Sequence, residues 1–146
     1  MAMRGQLRVA AIFVVMVSLL LSARGQSQQT FEARLTPVPV DGTTRDEITG
    51  IGSVSATLVG SRLAITGSFE GLQGPATAAR LHRGLATGVR GSAFQELTVS
   101  NETAGTVSGS LTLTPDQADS LRKGQIYVQI DSERGPDGNL WGWLLD

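Results

Sequence analysis

Residues 51–69 read IGSVSATLVGSRLAITGSF and alternate apolar with small polar side chains on both sides of a Gly60-Ser61 pair. Alternation with a period of two is typical of a half-buried strand, and a short glycine-containing turn joins two such strands into a β-hairpin. The stretch therefore predicts two antiparallel strands that turn one apolar face to a core and one polar face to water.

The same alternation continues on both sides of this hairpin, and one short helix interrupts it. Thr114 can cap that helix, Pro115 suits its first position, and Gln117 completes a capping box. The absence of a βαβ rhythm predicts an all-β fold, either an antiparallel Greek-key-like β-sandwich or a partly open barrel of seven to eight strands. The other strands are expected at residues 31–35, 77–82, 94–99, 107–113, 126–130 and 140–145.

The first 25 residues have the layout of a secretory signal peptide. Arg4 and Arg8 precede an apolar run at residues 9–21, and small residues follow it. The run is shorter than the roughly 20 residues that span a bilayer, which favours a cleaved signal over an anchor. We therefore expect a signal at 1–25, a single β domain at 26–146 with no membrane span after cleavage, and a secreted or periplasmic location.

Composition restricts the possible partners and chemistry. The sequence has no cysteine, which excludes disulfides, a thiol nucleophile and a thiolate metal site. Of the 12 basic residues, Arg4, Arg8 and Arg24 lie in the predicted signal, so nine basic and 13 acidic residues remain, with a net charge of −4. A mildly acidic domain of this kind argues against a nucleic-acid partner.

No catalytic set is complete. Serines are plentiful, but none lies in a Gly-x-Ser-x-Gly elbow, and no Gly-Lys-Ser/Thr follows the glycines of residues 83–91. Asp131 and Glu133 could pair as carboxylates, yet they read as a strand end that enters a solvated loop. The sequence therefore predicts a non-enzymatic protein.

His82 is the only histidine and the natural metal or general-base candidate. A zinc or copper site needs three or four ligands, and here His82 would depend on Asp131, Glu133 or Glu96. We therefore predict no cofactor and no transition-metal site at His82 and Asp131. The expected state of His82 is a partly buried ring that is hydrogen-bonded to the backbone or to an acid.

Trp141 and Trp143 lie two apart and so share one face of the last predicted strand. If exposed, they would form a platform for a sugar or a protein; if buried, they would be part of the core. Because tryptophan is highly buried on average, we expect at least one of them in the core.

The ordered motifs of the chain resemble the CHRD domain, the module that is repeated in chordin and is also found singly in exported bacterial proteins. The resemblance extends over residues 30 to 144. It implies a β-sandwich-like module without known catalysis that is associated with extracellular binding. The motifs are FEARL at 31–35, GL at 71–72, TAARLH at 77–82, GVRG at 88–91, LTLT at 111–114, LRKGQIYVQI at 121–130 and PDGNLWGWL at 136–144.

Several polar positions depart from the usual pattern of that family. Arg80 and Asp131 stand where it has histidines, Asn139 where it has glutamate, and Trp141 where it has arginine. If these groups cluster, Arg80 and Asp131 would face each other across neighbouring strands as a bidentate ion pair.

The resemblance implies an exported, non-enzymatic module for interaction with an as yet unidentified protein. The alternative is a periplasmic protein that binds a small ligand or metal through His82 and nearby acids. The candidate interaction residues are Arg80, His82, Asp131, Trp141 and Trp143.

Overall fold

The structure is a computed structural model that describes residues 27–146, so the predicted signal at 1–25 lies outside the described residues. Within residues 27–146 the chain forms eight strands and one helix, in agreement with the predicted class. They are β1 Gln28–Pro37, β2 Ile51–Val59, β3 Arg62–Glu70, β4 Ala76–Arg83, β5 Ser92–Val99, β6 Gly105–Thr112, α1 Pro115–Arg122, β7 Ile126–Ser132 and β8 Leu140–Trp143.

The strands close into one antiparallel barrel in the order β1-β2-β3-β6-β5-β4-β7-β8. Closure depends on β1, which pairs with β2 along residues 28–35 and with β8 through Thr36 and Pro37. Of the two predicted architectures, the structure supports the barrel and not the sandwich, because one long strand joins what would be two separate sheets, and the barrel is closed rather than partly open. Gln28 and Gln29 belong to this strand and pair with Val59 and Leu58.

The barrel interior is filled by the apolar positions of each alternating run, as the 51–69 stretch predicts. Gly67 lies on an inward position of β3, where a Cβ would collide with the carbonyl oxygen of Ser53 on β2. Glycine is thus required for the close approach of these strands. The largest fully buried apolar side chains are Phe31, Leu35, Leu58, Leu63, Ile65, Leu81, Leu121, Ile126, Ile130, Leu140 and Leu144.

Most outward positions of β2, β3 and β6 hold serine or threonine, and we call the surface that these side chains form the hydroxyl face. They line up across the strands, as in the row Ser55, Thr66 and Ser108. They are exposed or half-buried. The face consists of Ser53, Ser55, Thr57, Thr66, Ser68, Thr106, Ser108, Ser110 and Thr112.

Helix α1 begins with the predicted capping box. The Gln117 amide donates to Thr114 Oγ1 at 3.1 Å, and the Thr114 amide donates to Gln117 Oε1 at 3.0 Å. Leu121 packs into the core, and Arg83 at the end of β4 binds Asp116 at 2.8 Å. The hydrogen bond and the charge of Arg83 lower the pKa of the Asp116 carboxyl. No helix within residues 27–146 is long and apolar enough to cross a membrane.

Candidate functional site

The outward positions of β4, β7 and β8 carry all five candidate residues. β7 lies between the other two strands, and its inward residues Ile126, Val128 and Ile130 fill the core. The outward residues therefore form a second layer on the opposite side of the sheet, which we call the β7 face. It consists of Arg80, His82, Tyr127, Gln129, Asp131, Trp141 and Trp143.

Arg80 and Asp131 form the ion pair that the sequence predicts. Arg80 Nη1 lies 2.9 Å from Asp131 Oδ2, and the two residues stand on neighbouring strands. The bidentate geometry is wrong, because Arg80 Nε lies 3.4 Å from Glu96 Oε1 on β5, the strand on the other side of β4. The guanidinium thus joins one buried and one exposed acid.

Asp131 lies next to the end of β7, and the exposed residues Glu133 and Arg134 follow, so the predicted strand end that enters a solvated loop is confirmed, although Asp131 itself is buried. Strand β7 continues to Ser132, whose hydroxyl donates to Asn139 Oδ1 at 2.7 Å and accepts from the Gly135 amide at 2.9 Å. These bonds fold the following turn back over the strand. A carboxylate covered in this way needs partners to offset its lost hydration.

Gln129 supplies the second partner of Asp131. Gln129 Nε2 donates to Asp131 Oδ1 at 2.9 Å and to the carbonyl oxygen of Asp137 at 3.3 Å. Both acceptors fix the orientation of the amide. Gln129 is only 6% exposed, and its Oε1 has no hydrogen-bond partner in the described part of the chain.

Tyr127 is the centre of the aromatic part of this face. Its ring stacks on His82 at 4.8 Å between centroids, lies 4.6 Å from Trp143, and meets Trp141 edge-on at 5.9 Å. Tyr127 is 1% exposed, whereas both tryptophans are half-buried. The expectation of a tryptophan in the core is therefore wrong, since Leu140 and Leu144 take the inward positions.

The loop of residues 84–91, between β4 and β5, covers these rings. The Gly91 amide donates to the Tyr127 hydroxyl at 3.0 Å, and that hydroxyl donates to the Gly91 carbonyl oxygen at 3.2 Å. His82 Nδ1 lies 3.0 Å from the same oxygen, so Nδ1 carries the hydrogen. A Cβ at position 91 would collide with the carbonyl oxygen of Arg83, which explains the glycine.

His82 is thus half-buried and bonded to the backbone, as the sequence predicts. The strand register separates it from Asp131, because His82 pairs with Tyr127, four residues earlier on β7. Four residues correspond to about 13 Å along a strand. Within residues 27–146, no three histidine, aspartate or glutamate side chains form a group that could hold a metal ion.

Three residues of the site were not among the sequence candidates: Tyr127, Gln129 and Arg90. Arg90 lies over the Trp141 ring, with its guanidinium carbon 4.8 Å from the centroid. Alternation along β7 places Tyr127 and Gln129 on the face of Asp131, so this signal was present in the sequence. Arg90 belongs to the GVRG motif, but only the fold brings that loop to Trp141.

The fold and site define a small closed antiparallel barrel with a second packed layer on one side. The CHRD domain model matches residues 31–144, and the chain belongs to the CHRD domain family. CHRD domains occur in extracellular or periplasmic proteins, and membership indicates a module of a general binding kind. No curated protein and no solved structure matches the chain.

Proposed function

We propose that this chain is an exported, non-enzymatic module that binds a protein partner through a surface that includes the two tryptophans of the β7 face and the loop and chain end next to them. The observation that carries the proposal is the pair of half-buried tryptophans on the outside of the barrel. We call this region the tryptophan surface. It consists of Leu85, Val89, Arg90, Trp141, Trp143 and Leu145.

The loop that carries Arg90 and the chain end that lines a cleft with the tryptophans both have exposed apolar side chains. Leu85 is 87% exposed, Val89 43% and Leu145 47%. The loop and the chain end meet at Gly124, where a Cβ would touch both Thr87 and Leu145. Exposed apolar side chains grouped in this way are typical of an interaction site.

The chemistry of the surface suits a protein interface. Tryptophan and arginine are the residues that most often dominate binding energy, especially where they are packed at the centre of an interface. The ring centroids of Trp141 and Trp143 lie 4.7 Å apart, and both rings pack against the buried Tyr127. Their positions are therefore set before a partner binds. Little ordering is then needed on binding, which favours affinity.

The polar groups of the β7 face support a binding role over a catalytic one. Asp131 accepts from Arg80 and Gln129, and His82 donates to a backbone carbonyl. These polar groups are therefore engaged in hydrogen bonds within the domain. The alternative of a small-ligand or metal site at His82 has no comparable support, and stoichiometric copper or zinc in the purified protein would favour it over ours.

Photo-crosslinking in the native envelope tests the proposal. A crosslinking side chain at position 85 should give a saturable adduct with a discrete protein, because Leu85 projects from the tryptophan surface. The matched control is position 59, since Val59 is an exposed apolar residue at the far end of the β2–β3 hairpin. The adduct should weaken strongly with Trp143→Ala. Identical adducts from positions 85 and 59, or none from 85, would count against the proposal.

A further inference from the structure

We infer that the outer surface of β1, β2 and β3 is a second binding site, whose ligand is a neutral oligosaccharide chain. This inference goes beyond the protein partner proposed above; the two surfaces share Trp141 and Trp143, but the groove depends on residues of β1, β2 and β3 that the tryptophan surface does not contain. It rests on the shape of a groove, on the side chains that line it and on the aromatic rings at its end.

The groove crosses the strands. A cleft of about 540 Å³ is lined by Glu32 and Arg34 of β1, Ser53 and Ser55 of β2, and Thr66 and Ser68 of β3. A second cleft of about 390 Å³ and a third of about 300 Å³ adjoin it, and Arg34 lines all three. A long, shallow channel of this kind suits an extended chain better than a compact small molecule.

Two opposite charges stand next to each other in the groove. Glu32 and Arg34 are exposed and point outward from β1, and neither takes part in an ion pair within residues 27–146. A carboxylate and a guanidinium can each bind a pair of neighbouring hydroxyls, the carboxylate by accepting and the guanidinium by donating. Because their charges cancel, the groove favours a neutral polyol over an acidic or a basic ligand.

The remaining lining is made of hydroxyl groups. Ser53, Ser55, Thr66 and Ser68 form no side-chain hydrogen bonds to other described residues, and each hydroxyl can donate one bond and accept two. They can thus follow the changing donors and acceptors of successive sugar hydroxyls.

Indole rings close one end of the groove. Trp141 and Trp143 line the third cleft together with Glu32, Arg34 and Thr87. The negative face of an aromatic ring attracts the partly positive C–H hydrogens on one side of a pyranose ring. Recognition of a sugar needs an aromatic ring for its C–H face and polar groups for its hydroxyls. The groove offers both, since the indole rings lie beside carboxylate, guanidinium and hydroxyl groups that have no side-chain partner within residues 27–146.

Other extended ligands fit less well. A peptide that adds to a sheet needs free backbone groups, but β1, β2 and β3 are each paired on both sides. A nucleic acid needs excess positive charge, which Glu32 cancels in the groove.

Intrinsic fluorescence gives a direct test, because the chain has only two tryptophans and both line the groove. Short oligosaccharides of glucose, N-acetylglucosamine, mannose and xylose would be titrated into the protein, and calorimetry would confirm the affinities. At least one should change the emission in a saturable way. Arg34→Ala should lower the affinity for that oligosaccharide by about tenfold or more, since a charged hydrogen bond is lost.

Two variants keep the result interpretable. Glu32→Gln retains the size of the side chain and should weaken the same ligand, while Arg62→Ala removes an arginine of β3 outside the groove and should leave binding unchanged. No binding by any of the four sugars, equal binding by the Arg34 and Arg62 variants, or tighter binding of an unstructured peptide would overturn the inference. Retention of the position-85 crosslink by Arg34→Ala would show that the protein site survives on its own.

Discussion

Along β7, the residues that point away from the core are nearly as buried as those that point into it, whereas the outward residues of β2 and β3 are largely exposed. Tyr127, Gln129 and Asp131 are 1%, 6% and 7% exposed. At outward positions across the barrel, Ser55 is half-buried and Thr66 is exposed. One closed sheet thus has a packed outer face and an open one.

The difference comes from the loops that flank each strand. The 84–91 loop bonds to Tyr127 through Gly91, and the turn after β7 bonds to Ser132 through Asn139. β2 and β3 are instead joined by the tight Gly60-Ser61 turn, which is too short to fold back over them. Covered strands contribute to stability on both faces, while the uncovered face remains free to meet a ligand.

The strongest test of the packed face is Tyr127→Ala. Removal of a fully buried aromatic ring that touches His82 and both tryptophans should lower the free energy of unfolding by about 3–5 kcal/mol. Urea denaturation would measure it. Tyr127→Phe keeps the ring and should lose only about 0.5–1.5 kcal/mol, through the missing bonds to Gly91. A loss in the alanine variant no larger than that of the phenylalanine variant would mean that the outer layer is not packed.

The next largest effect is expected for Asp131→Ala. Its removal leaves Arg80 and the Gln129 amide without their buried acceptor, so stability should fall by about 1–3 kcal/mol. This expected loss of stability is smaller than that for breaking a fully buried ion pair, because the Arg80 side chain is 34% exposed.

Glu96→Ala is the control for that variant, since its side chain is 81% exposed and its bond to Arg80 is longer. It should change stability by less than about 1 kcal/mol. A double-mutant cycle of Asp131 with Arg80 would isolate the coupling of the pair. An unchanged melting temperature in Asp131→Ala would remove the ion pair as a determinant of the fold.

The open face was the easier one to predict from sequence. The strands of residues 51–69 and their turn depend on local alternation, and the structure places β2 and β3 within one residue of the predicted runs. Helix α1 likewise follows from a capping box of neighbouring residues. Local sequence patterns are sufficient to predict a strand when one of its faces is polar and the other is apolar.

The packed face was predicted less well because its contacts join distant segments. Both faces of residues 140–145 are apolar or glycine, so periodicity could not decide which side Trp141 would take. Closure of the barrel depends on Thr36 meeting Trp141, about a hundred positions along the chain. The burial of Asp131 depends on a turn that folds back through Asn139. None of these contacts leaves a local pattern.

At the border of the packed face, Arg90→Ala should have a small effect. The guanidinium lies over Trp141 on an exposed loop, and a cation–π contact of that kind contributes about 0.5–1 kcal/mol. The tryptophan emission should shift as well, because the indole loses its charged neighbour. Arg45→Ala, at an exposed arginine of the β1–β2 loop, is the control and should alter neither quantity. A stability loss as large as that of Asp131→Ala would extend the packed layer to Arg90.

The smallest effect belongs to the open face and is expected for Thr66→Val. Valine has the same shape and suits a strand, so the change removes only an exposed hydroxyl and should shift the free energy of unfolding by less than about 0.5 kcal/mol. The same variant should weaken the oligosaccharide that the groove binds, because Thr66 lines it. A clear loss of stability would instead make the hydroxyl row of Ser55, Thr66 and Ser108 part of the fold, and the contrast between the two faces would disappear. Weaker sugar binding with unchanged stability would show that the Thr66 hydroxyl contributes to ligand binding and not to folding.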